Sequence, residues 1–93
     1  MPYQPIACHL FDYIEIACIR HYTLSIKLIS GEKVIAKAMN TLIKNKQEFL
    51  VLERDSSKIK IRLDTIKSLE PMEKEADFGP INLQWRLRKV WIT

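Results

Sequence analysis

The sequence predicts a mostly β domain, one N-terminal α-helix followed by a small antiparallel β-barrel. Three observations carry this. Apolar residues recur at helical spacing over residues 8–20. From Tyr22 onward the apolar period drops to two, the spacing of a strand with one buried face. Short polar turns at Ser30-Gly31-Glu32 and Arg54-Asp55-Ser56-Ser57 divide the apolar segments into hairpin-sized pieces.

The helix comes first. At about 100° per residue, Leu10, Phe11, Ile14, Ala17 and Cys18 fall on one face. Asp12 lies on the opposite face with His9 and Ile16 beside it, and Glu15 sits at the boundary. The first strand follows, with Tyr22, Leu24, Ile26 and Leu28 alternating with Thr23, Ser25, Lys27 and Ile29. Gly31 supplies the positive φ that a tight hairpin needs. A second strand is expected at about 33–39, with Val34, Ala36 and Ala38 on its buried face. Residues 40–46, ending in Lys44-Asn45-Lys46, read as a polar connection.

The third strand, about 47–53, holds the run Phe49-Leu50-Val51-Leu52, which suggests burial on both faces. Residues 58–63 alternate almost perfectly, with Ile59, Ile61 and Leu63 on one side. Asp64-Thr65 leads into a short strand at 66–69. Closing five such strands would remove exposed sheet edges, with the helix capping an open end or one face. Residues 1–70 then form the domain, and 71–93 form a linker and a C-terminal extension without an assigned role. Residues 81–93 fit either an added strand or a short helix.

Ninety-three residues suffice for one small domain, and 47% hydrophobic content supports a core. No apolar run approaches the ~20 residues of a membrane span, and no secretory signal is evident, so a cytoplasmic protein without membrane partners is expected. Cys8 and Cys18 are then reduced thiols rather than a disulfide. With His9 and His21 they lack the spacing of a zinc finger, so no metal or other cofactor is expected.

Nothing in the chain resembles catalytic machinery: there is no nucleophile elbow, no phosphate-cradling glycine loop and no HExxH. Asp12 and Glu15 on a solvated helix face have no environment that would split their pKa values for acid–base work. Binding is the better reading. The net charge is +4, unevenly spread. Residues 1–18 carry only Asp12 and Glu15, whereas 19–70 carry eleven basic against six acidic side chains. A basic body can attract nucleic acid. The stretch Trp85-Arg86-Leu87-Arg88-Lys89-Val90-Trp91 has the mixture of aromatics and arginines that holds single strands. Alternatively, both tryptophans cover the barrel and the arginines point to water.

The start of the chain narrows these options. Tyr3-Gln4-Pro5-Ile6-Ala7-Cys8, followed by Phe11-Asp12-Tyr13-Ile14-Glu15-Ile16-Ala17-Cys18, resembles the N-terminal segment of the Rof family of Rho-binding antiterminators. The likeness continues through Gly31-Glu32-Lys33, Ala36-Lys37-Ala38, Phe49-Leu50-Val51-Leu52-Glu53 and Ile61-Arg62-Leu63-Asp64-Thr65-Ile66, with spacing kept over residues 3–70. The resemblance implies an Sm-like barrel and no catalysis. It implies binding to the N-terminal RNA-binding domain of the transcription terminator Rho, with RNA engagement blocked. Acidic side chains of the helix would meet Rho's basic RNA site. Asp12 matches a key acid of the family's helix and Glu15 a second, and Lys44, Asn45 and Lys46 fall where the family has a basic loop. His9 and Ile16 flank Asp12 on the same helix face and join the expected partner-binding set. Relatives commonly carry acids just after the first cysteine, where this chain has His9 and Leu10. The alternative from another class is a small Sm-like RNA-binding module that uses its basic surface directly.

Overall fold

The structure is a computed structural model that describes residue 6 and residues 8–83. It contains helix α1 (Cys8–Arg20) and six strands: β1 (Thr23–Leu28), β2 (Lys33–Lys44), β3 (Gln47–Arg54), β4 (Ser57–Arg62), β5 (Ile66–Pro71) and β6 (Ile81–Asn82). A 3-10 turn, Leu63–Thr65, joins β4 to β5. The strands form one antiparallel sheet in the order β4-β3-β2-β1-β5-β6.

The helix covers the residues expected, and its faces match the apolar spacing. Leu10, Ile14, Ala17 and Cys18 are buried, and Phe11 packs against the core from its edge. The helix ends in a Schellman motif. Tyr22 N–H donates to the Ala17 carbonyl at 3.0 Å and His21 N–H to the Cys18 carbonyl at 3.2 Å, with His21 at φ 52°. The His21 ring is tied as well, its Nδ1–H donating to the Ala38 carbonyl at 3.0 Å. That bond fixes the exit of the helix against the middle of β2.

The sheet carries the core on its inner face. Leu24 and Ile26 of β1, Ala36 and Ala38 of β2, Leu50 and Leu52 of β3, and Ile61, Leu63, Ile66 and Leu69 are all buried. Phe49 and Val51 are only half-buried, so β3 has one deeply buried face rather than two. The second strand is longer than expected. Residues 40–44 stay in the sheet, pairing Asn40 with Val51 and Lys44 with Gln47, and the connection shrinks to Asn45-Lys46. The register shifts between Ala38 and Asn40, leaving Met39 as an extra residue in β2. Such a bulge bends its strand, so residues 33–37 pair with β1 while the rest follows β3. Sequence alternation breaks at the same point, which is why the strand reads as ending there.

The sheet curls. In the strand order β3, β2 and β1 all lie between β4 and β5, a span of roughly 19 Å if the sheet were flat at ~4.8 Å per strand, yet only Leu63–Thr65 connects the two. Three residues of 3-10 helix rise about 6 Å. The pairing itself does not close into the expected barrel: among the described residues β4 and β6 are the two ends of the order, and no ladder joins β4 to β5 or β6. The short β6 lies against the outer side of β5, pairing Leu69 with Ile81 and Ser68 with Asn82.

Residues 71–80, expected as a linker, lie against the end of α1 and the start of β1. Glu73 Oε2 accepts from the Thr23 N–H at 2.9 Å, the Asp77 N–H donates to the Tyr22 hydroxyl at 3.0 Å, and Phe78 stacks on Tyr13 with ring centroids 5.1 Å apart. Leu83 is buried in the core. The stretch Trp85–Trp91 lies outside the described residues.

Two tight turns place L-residues in the left-handed region, Asn45-Lys46 at φ 52° and 62° and Asp55-Ser56 at φ 52° and 67°. Positive φ at both central residues defines the hairpin turn that favours Asn-Gly or Asp-Gly. Ser56→Gly is therefore expected to stabilise the domain by up to about 1 kcal/mol, since relief of left-handed strain exceeds the added chain entropy. A chemical denaturation midpoint unchanged or lowered by this substitution would contradict the turn assignment.

α1 is continuous from Cys8 to Arg20, and ten residues of helix separate Cys8 and Cys18 by ~15 Å, too far for a disulfide. Cys18 is a free, buried thiol. Burial, then the negative charge of Glu15, push its pKa up to about 11. The thiol is thus protonated in the folded state well past the ordinary value of 9.0. Its contribution to stability is complete below pH 9 and is lost as pH rises from about 9 to about 11. Two results are expected: native protein at pH 8 resists alkylation at Cys18 until unfolded, and Cys18→Ala shows a shallower loss of stability across that window than wild type. Rapid native alkylation, read by peptide mass spectrometry, would show the site to be open.

Candidate partner-binding site

The outward side of α1 is set by what its inward side buries. Leu10, Ile14, Ala17 and Cys18 clamp the helix to the sheet, so residues on the opposite side face solvent. His9, Asp12 and Glu15 are exposed, and Ile16 is half-buried and packs partly on the core. These four expected residues share one helix. Ile19 joins them, 78% exposed and the most exposed of the large apolar side chains described. It stands seven residues after Asp12 and four after Glu15, hence on the same side. Extending the helical spacing of Asp12 by two turns would have found it from sequence.

Among the described residues, none of the side chains of His9, Asp12, Glu15 or Ile16 takes part in a hydrogen bond or ion pair. The nearest cation on the helix, Arg20, is committed elsewhere, its Nε lying 2.6 Å from Asp77 Oδ2. Among the described residues, then, nothing neutralises the two negative charges on the exposed side of the helix. Next to them lies Ile19, an apolar side chain that the core of the described residues does not use.

Lys44, Asn45 and Lys46 sit at the tip of the β2–β3 hairpin, all exposed, with Asn45 and Lys46 forming the turn. No hydrogen bond or ion pair among the described residues links this tip to the outward face of α1. The expected residues thus fall on two elements, the outward face of α1 and the tip of the β2–β3 hairpin.

Among the described residues, no three His, Cys, Asp or Glu side chains converge as a metal set, and no helix is long and apolar enough to cross a membrane. An open surface depression is lined by Arg20, Tyr22, Glu73, Lys74 and Glu75.

A curled six-stranded sheet with one helix docked across it and exposed charges on the outward face of that helix defines, over the described residues, a small α-plus-β domain. Comparison with known proteins gives the family. Residues 5–83 match the family described as modulators of Rho-dependent transcription termination, ROF, and the chain belongs to it. It is 39% identical over 71 residues to the proteins named rof of Escherichia coli strain K12 and Shigella flexneri, covering 76% of this chain and 84% of each of theirs. Among solved structures it is similar to YaeO bound to magnesium from Vibrio cholerae O395, with a TM-score of 0.70 and 29% identity over 76% of this chain and 94% of that one.

Proposed function

We propose that this chain is a non-catalytic inhibitor of the termination factor Rho. It docks on Rho's N-terminal RNA-binding domain in the cytoplasm and keeps RNA from engaging there, so that transcription reads through. Membership of a family of modulators of Rho-dependent termination supports the target. The observation that carries the mode of action is the outward face of α1, where Asp12 and Glu15 are exposed and, among the described residues, unpaired beside the exposed Ile19. A surface that binds RNA is basic, and an acidic face competes for it. The chain's net charge of +4 does not oppose this, because screening over ~8 Å at physiological salt leaves local charge to decide docking. The curled strands and the three-residue link from β4 to β5 support an Sm-like barrel as the frame that presents the helix.

The direct test is competition. Purified Rho N-terminal domain is loaded with a labelled RNA, and the full chain is titrated in while anisotropy is read. Stepwise release of RNA is the expected result. RNA that stays bound in the presence of excess chain would overturn occlusion as the mechanism.

A further inference from the structure

We propose that the outer face of β2, β3 and β4 is a second binding site, for single-stranded RNA, distinct from the outward face of α1. The strand registers set out the surface in rows. Leu42, Phe49 and Arg62 form one row across the three strands, Asn40, Val51 and Lys60 the next, and Lys37, Glu53 and Lys58 the third. All point away from the face that buries Leu50, Leu52 and Ile61. Phe49 and Val51 are half-buried yet, among the described residues, are not packed against the core, and Leu42 is 38% exposed. The centre of this face is therefore an apolar and aromatic strip that the core of the described residues does not use.

Cations frame it. Lys58 and Lys60 are exposed on the terminal strand β4, Lys37 on β2, and Lys44 and Lys46 at the adjoining hairpin tip. Within the three rows Glu53 is the single carboxylate, and Arg62 is held by Asp64 through two bonds of 2.9 and 2.6 Å. Lys60 Nζ lies 5.3 Å from the centroid of the Phe49 ring, so a flexible ammonium already hovers over the aromatic surface. Lysines on a terminal strand also deter edge-to-edge aggregation, but that role does not account for a half-buried phenylalanine and valine and an exposed leucine between them. Aromatic surface for bases beside lysines for phosphates is the combination that holds single strands. An acidic peptide would use the lysines and leave the ring idle.

The site does not rest on the Rho reading, and it is tested on the full chain alone. The probe is a fluorescein-labelled twelve-nucleotide oligouridylate, followed by anisotropy at several salt concentrations. Binding is expected to weaken as salt rises. Lys58→Glu/Lys60→Glu is expected to weaken it about tenfold or more and to flatten the log–log salt slope by about 1.4, two contacts at ~0.7 each. Phe49→Leu, which keeps an apolar side chain in place, is expected to cost about fivefold with the salt slope unchanged, because it removes stacking and no charge. Circular dichroism melts of each variant confirm folding. The proposal is overturned by absence of binding, by sheet variants that bind as wild type, by loss on Arg86→Ala/Arg88→Ala instead, or by a polyglutamate peptide that binds as tightly as the RNA.

Discussion

Leu52→Ala is expected to lower the thermal midpoint by about 10 °C or more. Leu52 is fully buried in β3, with Ala38 of β2 and Ile59 of β4 as its cross-strand partners. Truncation removes its transfer free energy and leaves a cavity that a β-sheet cannot easily collapse into, together roughly 2–5 kcal/mol. A domain of this size has only about 5–15 kcal/mol in total, and each kcal/mol shifts the midpoint by about 4–8 °C. The comparison is Ile43→Ser. Ile43 lies near the end of the same β2–β3 ladder but is 68% exposed, so its loss should stay within about 0.5 kcal/mol. Differential scanning fluorimetry of the pair separates burial from strand membership. Similar melting for both variants would show that the inner face of β3 is not the core.

Periodicity revealed the helix and the inner face of the sheet because both are set by local spacing. Residues 8–20 placed Leu10, Ile14, Ala17 and Cys18 inward, and the structure buries all four. It revealed less where pairing overrides local pattern. Residues 40–44 break the alternation and read as part of a connection, but Thr41 and Leu42 are held in the sheet by Leu50 and Phe49 across the ladder. The two-residue turn beyond them lacks the glycine that would have announced it. Residues 71–80 are rich in charge and proline and read as a linker. Only the placement of Tyr13 and Tyr22 in space shows why Phe78 returns to them. The acidic helix face was legible for the same reason as the helix itself, and Ile19 belonged to it by the same spacing. The outer sheet face was not legible, because it is made of rows across three strands whose register appears only in the fold.

Asp12→Lys is expected to abolish most of the affinity for Rho while leaving the fold intact. Asp12 is exposed and takes part in no hydrogen bond or ion pair among the described residues, so no native interaction is lost. Lysine is the better helix former, and its unfavourable sign toward the helix N-terminus is worth only a few tenths of a kcal/mol. Stability should stay within about 0.5 kcal/mol of wild type. Binding is another matter. A lysine pressed against a basic RNA-binding surface adds a like-charge contact where an attractive one stood, a change of about 2–5 kcal/mol at a desolvated interface, or some thirtyfold and upward in Kd. Glu15→Lys should act in the same direction and by less, because Glu15 lies at the margin of the exposed face. Raising salt should weaken the wild-type complex and leave the complex of the Asp12→Lys variant nearly flat, since the attraction being screened is gone. Oligouridylate binding by the chain alone supplies the opposing control. The same substitution adds positive charge and should leave it unchanged or slightly tighter, whereas Lys58→Glu/Lys60→Glu should weaken RNA and spare Rho. Wild-type affinity for Rho in the Asp12→Lys protein, measured by calorimetry on material with an unaltered melt, would remove this helix face from the mechanism.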